Sequence, residues 1–247
     1  MERARRRLDD RVKVAFKRSK GRNGALRLQA DLEAQGFHYD VRTIRASMKR
    51  QNLVAKAARK FVVTTDSNHP LPVAPNLLER DFDADQPNQK WVQDITYLMT
   101  SEGWLYLAVV IDLYSRTVVG WSMSETMKAS LVVDALKTAL WRRGFPKGVI
   151  VHSDRGSQYC SHEFRNLLTK HDLVQSMSRR ANCWDNAVAE SFFHSLKVES
   201  VQYEPIRSRL EMRQAVFEYI EVDYNRTRRH SALGYLSPLN YELSQSA

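Results

Sequence analysis

Three carboxylates, Asp94, Asp154 and Glu190, have the types and spacing to do chemistry at phosphorus. Asp94 lies in Trp91-Val-Gln-Asp-Ile-Thr-Tyr-Leu98, which reads as a strand. Asp154 closes a second strand, Val149–Asp154, just before the turn Arg155-Gly156, and Glu190 sits in Asp185–His194, which reads as a helix. Fifty-nine residues separate the two aspartates and 35 separate Asp154 from Glu190. Oxygen ligands suit hard cations such as Mg²⁺, which keeps several of its waters. Two such ions, about 4 Å apart, can clamp an in-line phosphoryl transfer. One carboxylate alone carries little, because most are merely solvated. Three in this order make a candidate catalytic and metal-binding centre, with Mg²⁺ or Mn²⁺, two ions, as the expected cofactor.

The elements needed to hold such a centre are legible. Ser101-Glu102-Gly103 turns the Asp94 strand back into Leu105–Leu113, whose nearly continuous apolar run suits a central strand buried on both faces. Thr117–Met123 returns as a third strand. Leu131–Arg142 has apolar residues at helical spacing, the Asp154 strand follows, then a helix over His162–His171 and a fifth strand over Leu173–Ser178. The class is α/β, a mixed sheet flanked by helices.

The words around the carboxylates are narrower than the fold. Trp91–Leu98, Val110-Ile-Asp-Leu-Tyr-Ser-Arg116, His152-Ser-Asp-Arg-Gly-Ser-Gln-Tyr159 and Tyr224-Asn-Arg-Thr-Arg-Arg-His230 resemble the second reading frame of the insertion-sequence family three transposases. The acidic triad resembles that of the wider transposase and retroviral integrase superfamily. The likeness runs from about residue 19 to residue 242. It implies a ribonuclease-H-like integrase catalytic core, with metal-dependent DNA strand cleavage and strand transfer during transposition. It also implies a homo-multimer on DNA ends and target, and a bacterial, cytoplasmic, nucleoid-associated location. In that family an upstream reading frame supplies a further helix-turn-helix and a zipper. A zipper needs sustained apolar heptads, and residues 1–60 offer only short stripes broken by Gly21, Gly24 and Gly36. The upstream product, fused or in trans, is therefore an expected partner.

Composition agrees without the likeness. Aromatics at 10% and hydrophobics at 43% describe a globular chain, and 247 residues suffice for one large domain and one small one. No stretch reaches 18 apolar residues, so no membrane span is expected. The basic N-terminus, Met1–Arg7, lacks the apolar run of a signal peptide. Cys160 and Cys183 lack metal-ligand spacing and read as reduced thiols. No Cys precedes Cys160, so the N-terminal zinc module of retroviral integrases is absent.

The net charge of +10 is uneven: residues 1–60 hold 18 Lys and Arg against 6 Asp and Glu, while the remainder is near neutral. A positive surface attracts the phosphate backbone without regard to sequence. Ala25, Leu28 and Leu32 share one face of a short helix. Gly36 breaks it, and Asp40 can cap a second helix with Val41, Ile44 and Met48 inward. That leaves Arg42, Arg45, Lys49 and Arg50 on the outer face, a helix-turn-helix-like arrangement for DNA. An ordinary helical hairpin has the same periodicity. Arg3–Arg22 reads as a mobile basic arm or an irregular helix. The expected divisions are a basic module over 1–60, a Pro-containing linker over 61–88, the catalytic core over 89–230 and a C-terminal tail over 231–247.

Further residues have two readings each. Asp112 is a fourth ligand or the cap of the turn after it, with the cap favoured. His152 shares a strand face with Asp154 and either orients a ligand or is a satisfied structural histidine. Asp185 is a candidate N-cap. Asn186, Glu190, His194 and Lys197 fall on one helix stripe, and Lys197 matches the basic residue of the family's extended signature, where it can meet a phosphate. The helix Arg209–Arg226 turns Met212, Val216, Ile220 and Tyr224 inward, and Arg228 and Arg229 beyond it read as DNA-backbone contacts. No phosphate-binding Gly-rich loop with Lys-Ser/Thr occurs, so nothing suggests ATP. Two rivals stand beside strand transfer: a nuclease of the same fold that does not join strands, and a non-catalytic DNA-binding regulator descended from a transposase.

Overall fold

A computed structural model of the chain describes residues 2–56, 72–179 and 186–245. Its centre is a five-stranded sheet in the order β3-β2-β1-β4-β5. The strands are β1 (Lys90–Thr100), β2 (Gly103–Asp112), β3 (Val118–Ser124), β4 (Ile150–Ser153) and β5 (Val174–Met177). The first three form an antiparallel meander, while β4 and β5 join parallel, β4 directly beside β1. The expected mixed sheet is therefore present.

Alternation along β1 sends its side chains to two different cores. Trp91 packs with Val151 and Phe164 beneath two helices, α4 (Ala129–Arg142) and α5 (His162–Lys170). Val92 and Leu98 face the other side, with Phe192 and Tyr219 from α6 (Ala187–Leu196) and the chain after α7 (Arg209–Phe217). Asp94 shares the parity of Val92, so it opens toward α6. Helix α4 lies close on β3 because Gly120 leaves room for it. A Cβ there would meet the Ala135 carbonyl oxygen and stand 2.6 Å from Ala139 N.

Two helices slip into wider π turns as they end. Lys197–Val201 continues α6 and Glu218–Tyr224 continues α7. The slip shifts the buried stripe, so Tyr219 joins Met212, Val216, Ile220 and Tyr224 in the core. It also carries Glu199 inward, to 6% exposure.

The N-terminal module is three helices rather than two. The Arg-rich opening, expected as a mobile basic arm or an irregular helix, forms a regular helix, α1 (Glu2–Arg18). Leu8, Val12 and Ala15 fall at helical spacing and close a small core with Leu28 and Leu32 of α2 (Ala25–Glu33) and Ile44 and Met48 of α3 (Val41–Arg50). Asp40 caps α3 by accepting from Arg42 N at 2.7 Å, as expected.

Two expected boundaries shift. Within the linker, residues 72–88 run along the body: Met177 N donates to the Pro75 oxygen, Leu77 N donates to Ser176 Oγ, and Leu78 is 1% exposed. The tail holds α8 (Pro238–Gln245), and its Glu242 takes Arg143 and the Ser115 and Thr117 hydroxyls. Residues 57–71, the end of the expected module and the start of the linker with Pro70, lie outside the described residues, as do Cys183, Trp184 and the expected cap Asp185.

The module meets the body through ions. Arg22 pairs with Asp223, Lys20 with Glu218 at 2.5 Å, Lys56 with Glu204 at 3.0 Å and Arg229 with Asp31 at 2.5 Å. At the centre, Glu199 accepts from Arg27, from Arg228 and from the Tyr219 hydroxyl. Breaking such a pair from one side is costly because a buried charge is left behind.

Candidate active site

The parallel register of β1 and β4 brings the aspartates together. Val92 is opposite His152, and Asp94 and Asp154 each stand two residues further on. Both are half-buried. Asp94 accepts from the following Ile95 N at 2.8 Å. Asp154 Oδ1 accepts from Gly156 N at 2.9 Å, which folds the turn after β4 back on the carboxylate. A Cβ on Gly156 would lie 3.0 Å from Asp154 Oδ1 and 3.1 Å from Gln158 Oε1, a tight fit that the bare glycine avoids.

Helix α6 brings in the third carboxylate. Asn186 donates through Nδ2 to the Gln93 oxygen at 3.0 Å, tying the start of α6 to β1 one residue before Asp94. Glu190 follows in the first turn, where a negative charge is favoured by the helix dipole, and its side chain is exposed. Lys197 ends α6 with Nζ 5.1 Å from the centre of the Tyr97 ring, partly buried and within the field of Asp94.

The electrostatics mark this place out. Burial pushes Asp94 well above the usual carboxylate range, the Asp154 charge pushes it further, and Glu190 adds a weaker push; Lys197 opposes them. Burial also raises Glu190 and lowers Lys197, against the pull of Asp94. Tyr159, 1% exposed, is raised well above its ordinary value by burial and then by Asp94 and Asp154. Its hydroxyl is buried without a hydrogen-bond partner. Carboxylates crowded into such a site favour a proton or a cation, and the all-oxygen donor set suits a hard divalent ion. Among the described residues, no group of three His, Cys, Asp or Glu side chains is arranged to hold a metal by itself. The donor chemistry of Asp94 and Asp154, with Glu190 near them, is of the kind that would hold a hard divalent cation.

The structure separates the other candidates. His152 is fully buried, with Nδ1 at 2.8 Å from Ser176 Oγ and Nε2 at 3.1 Å from Ser178 Oγ, which makes it structural. Asp112, also fully buried, accepts from Asn88 N and Tyr114 N and lies 3.6 Å from Arg143, so it ties the turn rather than a metal. Cys160 is a free, buried thiol 3.9 Å from Met177 Sδ. Arg42, Arg45 and Lys49 project from the exposed face of α3. Arg50 also lies there but holds Asp9 at 2.6 Å, which stitches α3 to α1. The expectation for Arg228 and Arg229 needs correction. Arg228 bonds Glu199 and Ser195 Oγ and is 12% exposed, and Arg229 bonds Asp31 and the Tyr235 oxygen. They join module to body; sequence displays their charge but not acids so far away in the chain. Tyr159 was missed because a tyrosine after a turn reads as core, and no sequence signal marks its unpartnered hydroxyl.

Comparison with known proteins agrees with this fold. Residues 84–183 and 190–245 match two family models, each described as an integrase core domain. The chain is 58% identical to the transposase InsF for insertion sequence IS3A of Escherichia coli K12 over 95% of its own length and 81% of that protein. It is 46% identical to an uncharacterized 31 kDa protein of insertion element IS600 from Shigella sonnei, over 94% of this chain and 85% of that one. A chain of the simian T-cell lymphotropic virus intasome, solved in complex with the PP2A regulatory subunit B56 gamma, superposes with a TM-score of 0.53. It covers 87% of this chain and 70% of that one at 17% identity, which is a likeness of fold.

Proposed function

The chain belongs to the IS3 family of insertion-sequence transposases, and on that premise we propose that it cleaves and joins DNA strands at Asp94, Asp154 and Glu190. It is a transposase of the carboxylate-triad type, a polynucleotidyl transferase on a ribonuclease-H-like core. The observation that carries the assignment is the aspartate pair, held side by side by parallel strands and faced by the glutamate helix.

The chemistry depends on a divalent metal, and we propose two Mg²⁺ ions held by the three carboxylates, with Mn²⁺ able to replace them. Held there, such ions would supply a lowered pKa for a water or a DNA 3′-hydroxyl and charge neutralisation at the leaving oxygen. The residues of the chain supply the rest. Burial of Asp94 and Asp154 keeps both carboxylates short of solvent, so each binds a cation in preference to standing alone. The Tyr159 hydroxyl, buried beside them, can donate to a carboxylate oxygen or a bound water. Lys197, stacked at Tyr97, offers a point charge to a scissile-strand phosphate. Exposed Glu190 can move inward as substrate fills the mouth. No protein nucleophile is needed.

DNA engagement is divided between the body and the basic module, with Arg42, Arg45 and Lys49 of α3 directed at the duplex and Arg50 at its margin. The support is their exposure and the excess positive charge of residues 1–60. A multimer holding two element ends and the upstream reading-frame product, fused or in trans, complete the proposal on the strength of family resemblance. Among the described residues no helix is long and apolar enough to cross a membrane.

The decisive assay uses the full chain on DNA flanking its gene, with nicked and joined products separated on a gel. Metal-dependent nicking and joining, lost in Asp94→Asn, is the expected result. Nicking without joining would leave a nuclease, and binding without either would leave a regulator.

A further inference from the structure

A cleft of about 590 Å³ opens where the module meets the body. Four arginines line it: Arg27 of α2, Arg45 of α3, Arg116 from the turn between β2 and β3, and Arg228. Its lining contains no Asp or Glu among the described residues. Arg27 and Arg228 are balanced from behind by Glu199, but the other two are not matched in this way. Arg116 is partly buried at φ 61, with Nη2 donating to the Phe82 oxygen at 3.3 Å. Its Nη1 is buried and has no hydrogen-bond partner. The carboxylates that act on it through space are Asp83 and Asp112, and Asp112 already serves Asn88, Tyr114 and Arg143. His230, also in the lining, is pushed down to about 3 by burial and then by Arg228, Arg27 and Arg116, so it adds no charge near neutrality.

The remaining wall is the helix that carries Glu190. Ala187, Ser191 and Ser195 of α6 face the cleft, in the turns that also hold the catalytic carboxylate. The opposite wall is the start of α2, Gly24–Arg27, with Arg45 of α3 beside it; the outer face of α3 also presents Arg42 and Lys49. The cleft thus lies between Arg45 of α3 and the helix that bears Glu190. We infer that the cleft is a phosphodiester site: it takes a DNA backbone phosphate between Arg116 and Arg45, with Ser191 at its edge, and sets where the strand lies relative to Glu190. The inference rests on the reading of the chain as an enzyme acting on DNA. Arg116 and Arg45 are positioning residues here, and an unpartnered guanidinium nitrogen is the feature a phosphate oxygen would satisfy.

The test uses the full chain carrying Asp94→Asn, so that bound DNA stays uncut, and a fluorescent duplex from the element end. Single backbone phosphates are replaced one at a time by neutral methylphosphonate, and affinity is read by anisotropy across a salt series. One or two successive phosphates should each weaken binding roughly tenfold. In Arg116→Gln the same replacements should have no further effect, while replacements elsewhere still do, and the log–log salt slope should fall by about one. Arg116→Lys should recover charge but only part of the affinity, since it lacks the fork. Should Arg116→Gln prove unfolded by its thermal transition, Arg45→Gln on the exposed face carries the same comparison. A folded Arg116→Gln or Arg45→Gln with unchanged affinity, slope and replacement pattern overturns the site. If the chain with both arginines binds no DNA and its Asp94 parent cuts none, the enzyme reading has failed, and the site falls with it. Cutting with an unchanged pattern sinks the site alone.

Discussion

Asp94, within β1, and Asp154, just past the end of β4, each lie two residues beyond the parallel pair Val92 and His152. Their positions follow from strand register, which the burial of alternate β1 side chains in two cores holds in place. Each carboxylate raises the cost of charging the other, so the fold holds an arrangement that its own electrostatics resist.

Asp94→Asn, Asp154→Asn and Glu190→Gln should each lower cleavage and joining by roughly three orders of magnitude or more, because members of one catalytic unit fail together. DNA affinity should change little. Gel assays with each variant, and with chelator on the parent chain, provide the check; robust activity in any of them would remove that residue from the centre.

Without divalent cations, Asp94→Asn should melt a few degrees higher than the parent chain near neutral pH. The charged form of Asp94 is penalised by burial and by Asp154, so the penalty is absent below its ordinary pKa and fully present above the raised one. Mg²⁺ should raise the melting temperature of the parent more than that of the variant. Equal responses in a calorimetric scan would mean that the cation does not sit on Asp94.

Glu199 reports on the junction. Burial alone would raise it, yet Arg228 and Arg27 hold it below its ordinary value of 4.5. A depressed acid contributes stability that is present above its ordinary pKa and lost as pH falls through the lower folded one. Module and body should therefore loosen in acid, below about pH 4.5, and hold near neutrality. Glu199→Gln should cost about 3–5 kcal/mol by leaving buried arginines uncompensated. Limited proteolysis between module and body, followed against pH, reads the loosening directly.

Arg42→Ala with Lys49→Ala should weaken binding to all duplexes alike and lower the salt slope by about two. Neither residue has a place in the module core. An unchanged slope in an anisotropy titration would make the outer face of α3 merely solvated.

Gly120→Ala should destabilise the fold by about 1–3 kcal/mol, since its new methyl would press on the backbone of α4 at Ala135 and Ala139. Urea unfolding monitored by tryptophan fluorescence gives the number, and a neutral result would show that α4 can shift away.

The sheet was legible in the sequence because strand order and apolar runs are local signals. Leu105–Leu113 and Val149–Asp154 announce buried strands, and the helix bearing Glu190 announces itself by period. Asp40 likewise revealed the start of α3. Helix α1 was hidden because Arg3, Arg5, Arg6 and Arg7 draw attention from the sparse apolar stripe Leu8, Val12 and Ala15. Arg228 and Arg229 were misread for another reason. Their partners, Glu199 and Asp31, lie across π-turn geometry and across the module–body junction, and no spacing rule reaches that far. The orphaned groups, Tyr159 and Arg116, depend on what is missing around an atom, which only the folded arrangement decides.

The junction around Glu199 also constrains how such elements can exchange parts. Arg27 is inherited with the module, Glu199 and Arg228 with the body, and each needs the others to avoid a stranded charge. A hybrid that joins this module to a related body with an apolar residue in place of Glu199 would carry two facing arginines into one buried space. Recombination between related elements would then yield working offspring chiefly when the crossover leaves that trio intact, so the two halves behave in inheritance as one piece although the chain joins them in sequence as two.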